Sequence, residues 1–199
     1  MKRIIIATKN KGKIKEMTDA FKPFKVEVLA LNSLGDLEDA VEDGATFEEN
    51  AKKKAAHFLK LTKTACLADD SGLEVEVLDN APGVYSARWG GDHANDYINN
   101  QKLVEEIKKV GKTTSPARYR CALCYMDENE EFLTEGKCEG EIRLTPKGEN
   151  GFGYDPYFYV KDTAMAEMSM EEKNKISHRG LALKEMISVL EKNGVIERK

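Results

Sequence analysis

The stretch Ala68-Asp69-Asp70-Ser71-Gly72-Leu73 follows the apolar run Ala65-Cys66-Leu67, so we predict that a buried strand ends there and opens into a turn. Ligands of α/β sheets bind at the carboxyl ends of the strands. Because neighbouring strand residues point to opposite faces, one of the two aspartates should face the ligand. A carboxylate at that place suits Mg²⁺, which usually arrives with a phosphorylated substrate. The alternative is that residues 69–72 form only a polar turn.

The composition is that of an ordinary globular protein. Hydrophobic residues make up 41% and charged residues 33% of the 199 positions, enough for one large domain or two closely joined lobes. A net charge of -4 argues against a general nucleic-acid or membrane binder, so an anionic ligand must be held by local Lys, Arg and backbone groups. No apolar run approaches the ~18 residues that span a bilayer. The segment Met1–Ile6 is too short for a signal peptide, and we expect a cytoplasmic protein.

The four cysteines are scattered over predicted strands; they are Cys66, Cys121, Cys124 and Cys138. Cys121 and Cys124 have the CxxC spacing, but no second pair lies at the distance of a zinc ribbon. Two thiols at this spacing in a strand face opposite sides of the sheet, which is poor geometry for chelation. We therefore expect buried, free cysteines.

A second polar segment, Thr8–Lys13, lies between a predicted strand at Arg3–Ala7 and a predicted helix that Pro23 ends. Free N–H groups at the start of that helix, and the positive end of its dipole, attract an anion. Asn10 adds a polar side chain and Lys13 a flexible positive charge. The segment is not a Walker A loop, because the first glycine and the Ser or Thr after the lysine are missing. A lysine-rich surface turn is the alternative.

The acidic loop Leu37–Gly44 precedes another predicted helix. Thr46 and Glu49 have the spacing of a capping box, in which the hydroxyl and the carboxylate accept from free N–H groups of the helix start. This cap places the pair Glu42-Asp43 just before the helix, so one of the two carboxylates could face the same cleft as Asp70. Acidic loops are more often only solvated, which is the alternative.

The last helix is predicted to begin with a polar segment. Ser177 is a natural N-cap, and His178 and Arg179 then lie in the first turn, where positive charges oppose the helix dipole. This unfavourable placement suggests an anionic or carbonyl-bearing ligand. The alternative is that the Ser-His-Arg sequence is incidental. The other predicted strands are Val26–Leu31, Leu73–Leu78, Ala117–Met126, Phe132–Cys138 and Tyr157–Val160, and the later helices are Asp96–Val110, Met170–Ile176 and Leu181–Lys192.

A glycine-rich segment, Asn150–Pro156, is the remaining candidate for ligand binding. Its glycines let the backbone approach a ligand closely. Phe152 and Tyr154 each offer a ring that could stack on a base.

Four segments, in this order and at these separations, resemble the Ham1/RdgB family of inosine triphosphate pyrophosphatases, also called XTP/dITP diphosphatases. They are Thr8-x-Asn10-x-x-Lys13, Ala68–Leu73, Phe152-Gly-Tyr-Asp155-Pro156 and Ser177-His178-Arg179. The resemblance implies an α/β, ITPase-like (Maf/Ham1) fold of one domain, 1–199, with an elongated central mixed sheet flanked by helices and an active-site cleft between two lobes. It also implies a homodimer that uses Mg²⁺ to hydrolyse ITP, dITP or XTP to the nucleoside monophosphate and pyrophosphate.

The resemblance also implies the role of each site residue. Glu42 and Asp70 would hold Mg²⁺, and Asp70 would be the base toward water, whereas Asp69 would be structural. Ser71 would contact the substrate, and Lys173 would pair with phosphate or support the base pocket. The triphosphate would lie against Thr8, Lys9, Asn10, Lys11, Gly12 and Lys13. The purine would be enclosed by Phe152, Gly153, Tyr154, Asp155, His178 and Arg179, with Glu49, Asn50 and Lys54 as supports elsewhere in the site.

Other functions are weighed against this one. A hydrolase dyad of Ser71 and His178 would lack the Gly-x-Ser-x-Gly elbow of a nucleophilic serine. A Maf-type nucleotide pyrophosphatase would act on pyrimidine or modified nucleoside triphosphates, whereas Phe152 favours a purine. A non-catalytic nucleotide sensor would have no need of the carboxylates of Glu42 and Asp70. We expect a small-molecule substrate and no nucleic-acid or membrane partner.

Overall fold

The computed structural model describes residues 1–92 and 94–199. The strands in this part of the chain are β1 (Lys2–Ile6), β2 (Val26–Ala30), β3 (Cys66–Val75), β4 (Ala81–Pro82), β5 (Thr114–Met126), β6 (Glu131–Arg143), β7 (Phe158–Val160) and β8 (Thr163–Ala164). The α-helices are α1 (Lys11–Phe21), α2 (Phe47–Thr62), α3 (Asp96–Lys109), α4 (Met170–Ile176) and α5 (His178–Lys192). Short 3₁₀ turns lie at Leu31–Leu34, Glu76–Leu78, Gly83–Arg88 and Met165–Glu167.

The strands form one mixed sheet in the order β2-β1-β3-β5-β6-β7-β8, with β4 paired to β3. β1 runs parallel to both β2 and β3, whereas β3–β4, β6–β7 and β7–β8 are antiparallel pairs. The α/β class and the mixed central sheet flanked by helices are confirmed.

The predicted turn at residues 69–72 is wrong, because β3 runs without interruption from Cys66 to Val75. Leu67 and Leu73, on either side of the two aspartates, are both fully buried. The Leu73 N–H donates to Ser86 Oγ at 2.9 Å. The polar residues therefore lie inside a buried strand, and their charges must be balanced by side chains that are distant in sequence.

One compact unit, unit 1, comprises Met1–Asp70, Cys121–Gly136 and Arg179–Lys199. Its helices contribute side chains at helical spacing, Met17 and Phe21 from α1 and Met186 and Leu190 from α5, all nearly fully buried. They pack with side chains of β1, β3 and β5 in one apolar core. The other buried members are Ile4, Ile6, Phe24, Ala65, Leu67, Cys121, Leu123, Tyr125, Ala182, Leu183 and Ile196.

The second compact unit, unit 2, comprises Ser71–Arg120 and Lys137–His178. Leu103 and Ile107, one turn apart on α3, and Leu73 and Val75, on one face of β3, are fully buried in its core. The other buried members are Ala117, Tyr119, Cys138, Ile142, Tyr154, Phe158 and Met165. Our interpretation of residues 1–199 as a single domain stays a prediction.

The helix boundaries near the C-terminus follow local rules. α4 spans Met170–Ile176 as predicted, and Ser169 caps it by accepting from the Glu172 N–H. α5 begins at His178 rather than Leu181, so His178 and Arg179 do lie in its first turn.

All four cysteines are free and buried, as expected. Over residues 1–92 and 94–199, no helix combines the length and apolar character needed to cross a membrane.

Candidate active site

The loop between β1 and α1, in unit 1, has the predicted form of a polar helix start. α1 begins at Lys11, with Asn10 as its N-cap. The Asn10 side chain accepts from the Lys13 N–H at 3.1 Å, and Thr8 Oγ1 accepts from the Asn10 N–H at 3.2 Å. Lys9 is exposed and forms an ion pair with Asp39 at 2.7 Å. Lys11, Gly12 and Lys13 therefore occupy the first turn of α1, where N–H groups can face an anion.

Asp69 lies at the centre of a buried charge network in unit 1. Its Oδ2 atom is 2.8 Å from Lys13 Nζ and 3.4 Å from Arg179 Nε. Burial by itself would raise the pKa of the Asp69 carboxyl, but Lys13, Arg179 and Lys54 together hold that pKa well below its ordinary value. Arg179 Nη1 also donates to Glu16 at 2.7 Å. Asp69 is thus a permanent anion that fixes cations from two helices, as a structural role requires.

Asp70 has different surroundings. Its Oδ2 atom accepts from Asn50 Nδ2 on α2 at 2.9 Å. Burial raises the pKa of the Asp70 carboxyl to about 6, with Glu42 adding to the rise, while Asn50 and Lys54 oppose it. The two neighbouring aspartates therefore contact different helices and differ in acidity. A carboxyl that titrates near neutral pH can accept a proton from water.

Lys54 on α2 joins the two aspartates to the acidic loop. Its Nζ atom is 2.5 Å from Glu42 Oε1 and donates to the Asp69 carbonyl oxygen at 2.9 Å. Burial lowers the pKa of Lys54, yet the anions Asp69, Glu42 and Asp70 outweigh it and raise the pKa above its ordinary value. We call Glu42, Asn50, Lys54 and Asp70 the Asp70 cluster.

The start of α2 holds this cluster in place. Thr46 is its N-cap and accepts from the Glu49 N–H at 3.2 Å, as predicted. The Glu49 carboxylate accepts from Ala45 rather than completing a box with Thr46. Asn50 uses both ends of its amide, because Oδ1 accepts from the Gly44 N–H at 2.7 Å while Nδ2 donates to Asp70. Asn50 thereby connects the loop that carries Glu42 to Asp70.

The donor set suits a hard divalent cation. The Asp70 cluster offers carboxylate oxygens from Glu42 and Asp70, and the mutual repulsion that helps raise the pKa of Asp70 is what a cation would relieve. Among residues 1–92 and 94–199, no group of three or more His, Cys, Asp and Glu side chains could hold a metal alone. Mg²⁺ commonly takes one or two carboxylates and completes its shell with substrate phosphates and water, so the residues present fit it.

A second polar cluster lies in unit 2 around Asp155, which is 3% exposed. Its carboxylate accepts from Lys173 Nζ at 2.7 Å, from the Phe152 N–H at 3.1 Å and from the Tyr119 hydroxyl at 3.2 Å. Burial raises the pKa of Tyr119 well above its ordinary value, so this hydroxyl stays a donor. Sequence analysis did not identify Tyr119, which lies in a strand of mostly buried residues. We call Tyr119, Phe152, Asp155 and Lys173 the Asp155 cluster.

The aromatic rings of unit 2 differ in their surroundings. Lys173 Nζ lies 4.4 Å from the centroid of the half-buried Phe152 ring. The His178 ring stacks on Tyr119, with centroids 4.7 Å apart and planes 14° apart. Tyr154 belongs to the core, where its hydroxyl donates to the Ser86 carbonyl oxygen at 2.6 Å. Phe152 is therefore the better placed of the two rings proposed to stack on a base.

The structure thus brings the predicted residues together in two groups. Unit 1 contains the helix start, Glu42, Asp70 and Arg179, and Ser71 follows Asp70 directly in β3. Unit 2 contains Phe152, Gly153, Tyr154, Asp155, Lys173 and His178. The role of each residue toward a substrate stays a prediction.

Known proteins resemble this chain in both sequence and fold. A dITP/XTP pyrophosphatase of Bacillus licheniformis is 48% identical over 194 residues, which cover 96% of this chain and 99% of the relative. One of Desulfotalea psychrophila is 46% identical over 186 residues, which cover 92% of this chain and 82% of the relative. The solved structure of a Ham1 protein from Coxiella burnetii aligns with a TM-score of 0.88 at 38% identity, over 96% of this chain and all (100%) of the other. A sequence profile of the Ham1 family matches residues 4–189, and the chain belongs to that family.

Proposed function

We propose that this protein hydrolyses the deaminated purine nucleoside triphosphates ITP, dITP and XTP to the nucleoside monophosphate and pyrophosphate. The relatives named dITP/XTP pyrophosphatase support the substrate class. The observation that carries the chemistry is Asp70, a half-buried carboxyl that accepts from Asn50 and whose pKa is raised to about 6. Removal of deaminated purines from the nucleotide pool is the corresponding cellular role.

We propose Mg²⁺ as the cofactor, held by Glu42 and Asp70. When bound, it would supply charge neutralisation on the phosphates and help to align and activate water. Asp70 accepts the proton of the attacking water as a general base. Lys54 stays protonated beside both carboxylates and limits their repulsion.

The triphosphate contacts the start of α1. N–H groups of Lys11 and Gly12 face the anion, and the positive end of the helix dipole adds to their attraction. Thr8 and Asn10 shape the loop through their hydrogen bonds, and Lys9 adds an exposed positive charge. Ser71 contributes a hydroxyl next to Asp70.

The purine contacts residues of unit 2. Phe152 stacks on the base, and Gly153 allows close approach of the backbone. Asp155, Lys173, Tyr154 and His178 support or line this pocket. Arg179 is assigned as a donor to the 6-oxygen of hypoxanthine or xanthine; adenine presents an amino donor at that position, and such a mismatch can reduce the rate by ~10⁴-fold. In the structure its guanidinium also binds Glu16 and Asp69.

Two other functions remain to be compared by experiment. A Maf-type nucleotide pyrophosphatase would prefer pyrimidine or modified triphosphates, and the comparisons above lend it no support. A nucleotide sensor would bind ITP without turnover, and the carboxylates of Glu42 and Asp70 argue against it because a sensor has no need to activate water.

The test is a panel of ITP, dITP, XTP, ATP, GTP, dTTP and UTP with Mg²⁺, scored for pyrophosphate and orthophosphate separately. We expect pyrophosphate from the three deaminated purine nucleotides and little product from the others. Preference for dTTP or UTP would favour the Maf-type function, orthophosphate release would refute the proposed reaction, and binding without turnover would indicate a sensor. We also propose that the protein is a cytoplasmic homodimer. Sedimentation equilibrium would measure the mass of the assembly and so test the dimer.

A further inference from the structure

The segment that carries Phe152 has little regular structure to hold it. Gly151 and Gly153 have φ values of +79° and +65°, in the left-handed region that favours glycine. A segment of this kind cannot satisfy all of its backbone groups through a helix or sheet ladder, and side chains satisfy several of them. The partners of its N–H and C=O groups therefore decide where the Phe152 ring points.

The first turns of α3 supply two of these partners. Asp96 Oδ2 accepts from the Gly153 N–H at 2.8 Å, and Asn100 Nδ2 donates to the Gly153 carbonyl oxygen at 2.9 Å. The two side chains are four residues apart and so lie on one face of the helix. Asn100 is only 7% exposed, and its Oδ1 atom has no hydrogen-bond partner among the described residues, so Gly153 is the group that orients its amide.

These contacts act on both sides of the Phe152 Cα atom. The peptide that precedes it donates its N–H to Asp155, and the peptide that follows it donates its N–H to Asp96. Fixing both flanking peptide planes fixes φ and ψ of Phe152 and therefore the direction of its Cα–Cβ bond, from which the ring extends. Asn100 then fixes the next peptide through its carbonyl oxygen.

We infer that Asp96 and Asn100 are positioning residues for purine recognition, which act by holding the Phe152–Gly153 backbone in the conformation that presents the Phe152 ring. This inference rests on the proposed function. The ring can stack on a base only in the fraction of molecules that has this conformation, and the apparent affinity falls in proportion to that fraction. Loss of either contact should therefore raise KM and leave kcat for bound substrate nearly unchanged.

The first test compares Asp96→Ala with Asp96→Asn. Both variants lose the negative charge near the N-terminus of α3, but only the asparagine keeps an oxygen that can accept from Gly153. We expect Asp96→Ala to raise KM for ITP by about tenfold with kcat within about twofold of the unmodified protein, and Asp96→Asn to restore most of the affinity. Equal KM values in the two variants would overturn the inference.

The second test uses two neighbouring asparagines of α3. Asn100→Leu removes the donor to Gly153, whereas Asn99→Leu removes contacts to Gly90 and Ala87. Asn99 is 5% exposed, so the two substitutions place leucine in similarly buried positions. We expect KM for ITP to rise by about tenfold in Asn100→Leu only. A similar rise in both variants would indicate general damage to α3 and would contradict the inference.

A measurement without turnover separates this inference from the proposed function. The Gly153 N–H donates to Asp96, so we expect its proton to be protected from exchange in the unmodified protein. We expect its hydrogen exchange, followed by NMR, to accelerate in Asp96→Ala and to stay slow in Asp96→Asn. Unchanged exchange in Asp96→Ala would overturn the inference even if ITP is a substrate. Failure of the unmodified protein to hydrolyse ITP would refute the proposed function and, with it, the role in purine recognition.

Discussion

Arg179 donates from its Nε atom to the carboxylate of Asp69 at 3.4 Å, although 110 residues separate them in the sequence. Both side chains are almost completely buried. Lys13 binds the same carboxylate oxygen, so one anion in β3 holds a cation from α1 and another from α5. The neighbouring Asp70 instead accepts a hydrogen bond from Asn50 on α2, so the two aspartates have different partners.

Asp69→Asn should mainly reduce stability. The substitution leaves Lys13 and Arg179 without the anion that balances them, and breaking a buried pair costs about 3 kcal/mol. Chemical denaturation should show this loss. Asp43→Asn is the control, because Asp43 is exposed and a surface ion pair such as that with Lys53 contributes little to stability. Equal stability losses in the two variants would contradict the assigned role of Asp69.

The pH dependence of kcat/KM should follow the protonation of Asp70. At limiting Mg²⁺, kcat/KM should fall as the pH drops through about 6, because protonated Asp70 can neither accept a proton nor hold a cation. This fall is the acidic limb of the pH profile. Burial raises the pKa of Asp70 and the Asn50 hydrogen bond opposes this rise, so Asn50→Leu should move the acidic limb to higher pH. Thr46→Ala weakens the same helix start without touching Asp70 and should leave the limb in place. An unmoved limb in Asn50→Leu would refute the assignment.

Without Mg²⁺, Asp70→Asn should be more stable than the unmodified protein. The folded pKa of Asp70, about 6, exceeds its ordinary value of 3.8, so the folded state loses stability as the pH rises between these values. Above that range the cost is on the order of 3 kcal/mol, and asparagine removes it. Below about pH 4 the difference should disappear. Thermal melts of the two proteins at neutral pH and below about pH 4 test this. A variant less stable than the unmodified protein at neutral pH would contradict it.

Arg179 should govern selectivity as well as stability. Arg179→Ala should lower the ratio of kcat/KM for ITP to that for ATP, because the donor assigned to the 6-oxygen is lost. Arg179→Lys keeps a positive charge for Asp69 but lacks the planar fork of the guanidinium. We expect the lysine variant to recover part of the stability and little of the selectivity. An unchanged ITP to ATP ratio in Arg179→Ala would remove Arg179 from the purine site.

Local sequence rules were sufficient where the determining groups are close in the chain. Asn10 caps α1, Thr46 caps α2, and α4 has the predicted bounds, because each depends on residues within one turn. The different environments of Asp69 and Asp70 also follow from strand periodicity, even though the predicted turn is wrong.

The wrong turn and the residues missed by sequence analysis both depend on partners that are distant in the sequence. Asp69 can lie inside β3 because Lys13 and Arg179 neutralise it, and neither is near it in sequence. The sequence pattern around Tyr119 predicts only a buried strand residue, yet its hydroxyl donates a hydrogen bond to the Asp155 carboxylate. In the sequence Asn100 does not differ from other polar helix residues, because its partner, the Gly153 carbonyl oxygen, is distant along the chain.

Pyrophosphate release from ITP by Asp70→Asn, normalised to folded protein and compared with Asp69→Asn, tests the central claim most directly. We expect turnover by Asp70→Asn to fall by at least about 100-fold, because the substitution removes both a proton acceptor and a cation ligand. Asp69→Asn should retain substantially more activity per folded molecule. Near-normal turnover by Asp70→Asn, or equal losses in the two variants, would contradict the account.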